Sequence, residues 1–245
     1  MALIGNDRLF AMSFAQHEQF IAQNTVVTGT PEAEMVERVG TRIVEAAQKW
    51  FTSVGHPNFM DQYCWEFSLI QDNSINAAAF PGGRIVIFTG ILPVTQNEAG
   101  LAVVMGHEIA HVILNHGQQR MSAAMLQNAG FMGLAVGLGV GFGGQPNVSV
   151  GVWLDLFHLA TTLGGTLPFS RRHEIEADRY GLKLMAIAGY DPNEGALFWE
   201  RMSALGGSSI PPFLSTHPSD ATRMRELRNS TARATQVAAE FGVRF

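Results

Sequence analysis

The stretch from Asn97 to His116, NEAGLAVVMGHEIAHVILNH, sets the problem that any fold of this chain has to solve. A helix built from residues this apolar must be buried nearly all round, yet it carries His107, Glu108 and His111. Burying a carboxylate and two imidazoles without partners is expensive enough that the fold must supply partners. Four residues turn an α-helix by ~400°, so the two rings lie ~40° apart in azimuth and ~6 Å apart along the axis. Two ring nitrogens at that spacing can converge on one metal ion. Glu108, rotated by ~100° from His107, reaches a water on such a metal rather than the metal itself.

The pattern H-E-x-x-H on a helix is a zinc-protease signature, with the glutamate as general base. Zinc in such a site polarises the carbonyl under attack and lowers the pKa of its bound water. Two histidines leave the metal short of a protein ligand. The metzincin continuation, a glycine and then a third histidine soon after the second, is not supplied by VILNHGQQR, Val112 to Arg120. His116 comes one position too early for it and is expected to point elsewhere. The third ligand should therefore come from another helix, and glutamate is the known alternative.

SRRHEIEADRYG, Ser170 to Gly181, offers His173, Glu174 and Glu176. On a helix capped by Ser170, Glu174 and Asp178 share a face, whereas Glu176 projects ~200° from Glu174. This favours Glu174 as ligand and Asp178 as the acceptor of a hydrogen bond from a ligand histidine. Glu176 is then expected in a surface or ion-pair role and His173 at the flank. Ala177 and Gly181 keep this helix small enough to approach the first closely.

Elsewhere the chain reads as helices around a small sheet. The first fifty residues look helical, with Thr30 capping and Pro31 at the first helical position. Val36, Val39, Ile43, Ala47 and Trp50 then fall on one face. Trp65, Phe67 and Leu69 alternate with Glu66 and Ser68, and Pro81-Gly82-Gly83 separates two extended segments, of which Arg84 to Thr89 is the clearest strand. Three or four strands are expected. Thr95 with Glu98 reads as a capping box, and Gly117 stands where that helix would stop. Asp191 with Glu194 opens another helix, and Ser219 or Asp220 the last.

Between Arg120 and Arg171 only Asp155 is charged. The glycine-rich segment 128–144 approaches the ~20 apolar residues a membrane span needs, but its glycines weaken a helix by ~1 kcal/mol each. A buried segment beside the site, or a lid, fits better than a span. A net charge of -5 with no Lys/Arg run argues against nucleic acid as partner. Cys64 is the only cysteine, which excludes an intrachain disulfide. Met1 to Phe10 lacks the basic start and apolar run of an export signal, so the protein is expected to be cytosolic or to have lost a leader.

Four blocks together resemble the BepA-like and HtpX-like zinc metallopeptidases, relatives of the CAAX prenyl endopeptidases. They are INAAAFPGGRIVIFTGIL, NEAGLAVVMGHEIAHVILNH, SRRHEIEADRYG and STHPSDATR, running from about Gln62 to the last helix. The resemblance implies one zinc per chain on His107, His111 and Glu174, with Asp178 behind them. It also implies two roles that the residues alone do not. His217 would stabilise the oxyanion formed on the attacked carbonyl, or occupy the metal's open position and silence the enzyme. Arg223 would be grouped with it.

Asn76, Ala77 and Ala78 look like an edge strand that holds a peptide in extended form, which tolerates varied side chains. The expected fold is a mainly helical α+β class, a zincin-like core with a small mixed sheet against the HEXXH helix. Residues 1–245 would form one metallopeptidase domain, with N-terminal helices over about 1–60 and a catalytic core over 61–245. The expected partners are polypeptides, unfolded or misassembled envelope proteins, in a bacterial cell envelope, with membrane association and oligomeric state left open. The rival reading is a latent protease acting as a chaperone-like binder of unfolded chains.

Overall fold

We describe the protein from a computed structural model over residues 5–123, 170–205, 211–219 and 221–245. The segment 128–144 and Asp220 lie outside them. Helix α1 (Asn6–Gln23), strand β1 (Val26–Val27) and helix α2 (Pro31–Ser53) lead into β2 (Glu66–Ile70), β3 (Ala77–Phe80) and β4 (Arg84–Phe88). The short α3 (Leu92–Thr95) precedes α4 (Glu98–Ile113), and α5 covers 116–123. Then come α6 (Arg171–Ile187), α7 (Glu194–Ala204), the single-turn α8 (Pro212–Thr216) and α9 (Ala221–Glu240).

The sheet has four strands in the order β1-β2-β4-β3. It is mixed: β2 and β4 run parallel, with Glu66 opposite Arg84, while the two outer pairs are antiparallel. The turn between β3 and β4 places Gly82 and Gly83 at φ 95° and 107°, a region closed to most side chains, as Pro81-Gly82-Gly83 anticipates. Strand β1 is the one element the helical reading of the first fifty residues misses. Two residues carry too little pattern to register, and only pairing with Ile70 and Leu69 makes them a strand.

Several local expectations hold. Thr30 accepts from Ala33 N at 3.2 Å, with Pro31 opening α2. Val36, Val39, Ile43 and Ala47 are fully buried. The cap of α4 differs. Asn97, not Thr95, accepts from Gly100 N at 3.0 Å, because the Thr95 hydroxyl is turned back to Leu92 O within α3. Gly117 is not the stop either: α4 ends at Ile113, and Asn115 takes a left-handed φ of 54° before α5 begins. Asp191 holds the turn ahead of α7 through Asn193 N at 2.9 Å, and its expected box partner Glu194 pairs instead with Arg201.

Every residue of α4 from Gly100 to Ile113 is buried, as its composition requires. It packs against α6 above all, and also against α2, α7 and β3. At the crossing of α4 and α6 the backbones touch. A Cβ on Gly181 would lie 2.8 Å from Gly106 C and 2.9 Å from His107 N, and one on Gly106 would lie 2.9 Å from Gly181 O. One core cluster joins this crossing to α1, α2, the sheet, α7, α8 and α9. Among the described residues no helix is long and apolar enough to cross a membrane.

Alanine at Gly106 or Gly181 gains ~1 kcal/mol of helix propensity but forces backbone against backbone, which costs ~1–3 kcal/mol. Both variants should therefore unfold at a midpoint a few degrees below wild type in a thermal melt. A melt at or above the wild-type midpoint would show that the crossing can relax.

Candidate metal centre

Helix α4 presents His107 and His111 one turn apart, and α6 brings Glu174 to them across the glycine contact. His107 Nε2 lies 3.0 Å from His111 Nε2 and 3.4 Å from Glu174 Oε2, while His111 Nε2 lies 3.4 Å from Glu174 Oε1. His217, which ends α8, adds Nδ1 at 3.1 Å from His107 Nε2 and 3.2 Å from Glu174 Oε1. The donor atoms of these four buried residues all fall within 4.8 Å of one another.

The chemistry of this donor set fits a metal ion. His107 Nδ1 faces Asp178 Oδ1 at 2.9 Å. The proton of a neutral His107 therefore sits on Nδ1, which leaves a lone pair on Nε2. His111 uses its Nδ1 likewise, against His116 at 3.0 Å. Both Nε2 atoms then converge with the Glu174 carboxylate and His217 Nδ1 in one buried cluster, a donor set that suits a cation. Donors sharing a tetrahedral zinc at ~2.0–2.1 Å are ~3.3–3.4 Å apart, close to the separations here.

Electrostatics point the same way. Burial opposes ionisation of Glu174, but His217, Arg223 and the hydrogen bonds from His107 and His111 outweigh it and hold the carboxyl far below its usual range. Asp178 is likewise depressed, with Arg223 and His107 overcoming its burial. Burial pulls His107 down, yet Asp178 and Glu174 lift it to about 9. His111 falls well below the ordinary histidine value through burial and the neighbouring His107. The site thus keeps two carboxylates anionic and His111 neutral, while His107 holds a proton whose positive charge a metal ion would replace.

Glu108 is 2% exposed, and its Oε1 makes no hydrogen bond although His217 Nε2 stands 3.3 Å away. A buried carboxylate oxygen in that condition calls for a partner beyond the hydrogen bonds the protein makes to it. Arg223 sits behind the ligands. Its Nε and Nη2 donate to Asp178 at 2.6 and 2.9 Å, and Nη1 lies 2.8 Å from Glu174 Oε2 and donates to the His217 carbonyl at 3.1 Å. Its guanidinium carbon lies 3.8 Å over the Trp199 ring. Asn76 is buried just before β3, an edge strand beginning with Ala77 and Ala78, and Asn76 Oδ1 makes no hydrogen bond.

Two functional residues are not marked by the sequence motifs. His116, expected to point elsewhere, reaches His111 at 3.0 Å. Glu176 takes the surface or ion-pair role expected of it, meeting His116 Nε2 and Arg172 Nε, each at 3.3 Å. Trp199 supplies the face for Arg223 and had no motif to mark it. The signal for His116 was available: a histidine just past the end of an all-buried helix.

The sequence profile of peptidase family M48 matches residues 33–231. The mitochondrial metalloendopeptidase OMA1 of Schizosaccharomyces pombe is 36% identical over 170 residues, 69% of this chain and 47% of that protein. The Saccharomyces cerevisiae protein of the same name is 32% identical over 215 residues, 84% of this chain and 58% of its own length. The beta-barrel assembly-enhancing protease of Escherichia coli K12 is 33% identical over 167 residues, 67% of this chain and 34% of that protein. The chain thus spans only part of each relative, a little over half at most. The profile takes in α4, α6 and the His217 turn together, and the chain belongs to peptidase family M48.

Proposed function

We propose that this chain is a zinc-dependent endopeptidase, with one zinc per chain on His107, His111 and Glu174. The observation that carries the reading is the convergence of three ligand atoms from two helices, with Glu108 Oε1 beside them, 3.3 Å from His217 Nε2 and without a hydrogen bond. Zinc bound there would acidify a water and polarise a peptide carbonyl. Glu108 takes the proton from the attacking water and delivers it to the leaving amine. Asp178 holds the His107 tautomer, and Arg223 fixes Asp178, Glu174 and the His217 backbone in one frame. Asn76, Ala77 and Ala78 offer the β3 edge to an extended substrate, with no strand on its outer side among the described residues. The core shared by the described residues is what supports the proposal that 1–245 form one domain.

His217 belongs to the resting state of this proposal. Its Nδ1 lies among the ligand atoms, the position a catalytic zinc site keeps open for water. The same closure is what favours the second reading, a latent protease that binds unfolded chains. A purely structural zinc leaves Glu108 without a purpose. One relative is named for β-barrel assembly and others are mitochondrial. From the former we take unfolded or misassembled envelope proteins as substrates and a bacterial cell envelope as location.

Glu108→Gln should retain zinc by elemental analysis and lose cleavage by ~10²-fold or more; undiminished proteolysis would remove Glu108 from its role. Glu174→Ala should lose most of the metal, whereas Glu176→Ala should keep it at near stoichiometry under saturating zinc. The reverse result would overturn the ligand choice. His217→Ala should digest casein faster than wild type while still binding zinc. If both stay inert yet suppress aggregation of an unfolded client, the binder reading stands instead.

A further inference from the structure

The two ligand histidines are supported differently. His107 Nδ1 meets a carboxylate, Asp178, directly at 2.9 Å. His111 Nδ1 meets another imidazole, His116 Nδ1, at 3.0 Å, and His116 Nε2 lies 3.3 Å from Glu176 Oε2. On a straight helix His116 would sit ~140° away from His111. It returns because α4 stops at Ile113 and Asn115 takes a left-handed φ of 54°, turning α5 back across the site.

We propose that His116 is a positioning residue for His111, fixing its tautomer and ring plane so that Nε2 faces the metal, with Glu176 anchoring His116 in turn. The inference rests on the metal-centre reading above. A ligating imidazole must be bare at the metal-facing nitrogen, so His111 carries its proton on Nδ1 and needs an acceptor there. His116 Nδ1 can accept only if its own proton sits on Nε2, and that is where Glu176 receives it. Each group donates outward to the next. His116 is 1% exposed, so bulk water is a poor substitute acceptor, and its ring is stacked on His173 at 4.4 Å and 17°. His173 is itself held by Gln119 Oε1 at 3.2 Å. Helix α6 therefore serves the site with three acids: Glu174 as ligand, Asp178 behind His107, and Glu176 behind His111 through His116.

The test measures zinc affinity by chelator competition on the full chain, the visible spectrum after Co²⁺ substitution, and the unfolding midpoint of the metal-free protein. His116→Phe keeps a stacking ring and removes both nitrogens. It should raise the zinc Kd by ~10–100-fold and alter the Co²⁺ bands, while the metal-free midpoint stays near wild type. His116→Asn, whose amide oxygen can accept from His111 Nδ1, should recover part of the affinity. Glu176→Gln, at a partly exposed side chain, should weaken zinc several-fold, and it decides the matter if His116→Phe fails to fold. Wild-type affinity and spectrum in the variants would overturn the proposal, as would a loss of affinity matched by an equal loss of metal-free stability. A wild-type chain that binds no zinc would instead overturn the metal-centre reading, and this inference with it.

Discussion

The contact between Gly106 and Gly181 is the constraint from which the site follows. His107 is the next residue along α4 after Gly106, and Asp178 lies one turn before Gly181 on α6. A side chain at either glycine would push the axes apart, and the separations of 2.9 to 3.4 Å around His107 could not all survive. Packing thus comes before chemistry here. The helices are brought to backbone contact by apolar residues, and the polar groups are carried into range by that approach.

Bringing them into range creates a charge problem that the rest of the site answers. Among the described residues the acidic side chains Glu108, Glu174 and Asp178 are buried in this region with Arg223, and Arg120 acts on Glu108 and Glu174 from nearby. Carboxyl groups outnumber the guanidiniums in a low-dielectric interior, an imbalance that a cation would reduce. The rise of His107 to about 9 expresses the same demand, since a proton on that ring is another way to supply positive charge. Arg223 answers part of it from behind, and the Trp199 face beneath the guanidinium provides a site for an otherwise costly buried cation.

What the sequence made legible is what local spacing controls. HEIAH, the four-residue step from Glu174 to Asp178, the Thr30-Pro31 start and the Pro81-Gly82-Gly83 turn each place side chains within one or two turns of backbone. The strand order, the parallel pairing of β2 with β4 and the two-residue β1 depend on partners many residues away. His116 is not legible from spacing: on a straight helix it would point away from His111, and the left-handed Asn115 turns it back. Glu176 takes the ion-pair role its azimuth suggests, but its partner His116 lies on α5, a contact that spacing alone does not name.

His217 joins the two sides of the molecule. It closes α8, whose Phe213 packs 5.7 Å from Trp199 at 26° and 4.8 Å from the His217 ring. Phe213 N donates to Ile75 O at 3.1 Å, immediately before Asn76. The histidine among the ligand atoms and the edge strand read as the substrate platform are thus one hydrogen bond apart through the backbone. Arg223 holds the carbonyls of His217 and Pro218 at 3.1 and 3.2 Å, so the backbone on the other side of His217 is tied to the carboxylates behind the site. The His217 backbone is held by Arg223 on one side and by its own N–H to Phe213 O at 2.9 Å on the other, so the withdrawal proposed above would begin with side-chain torsions.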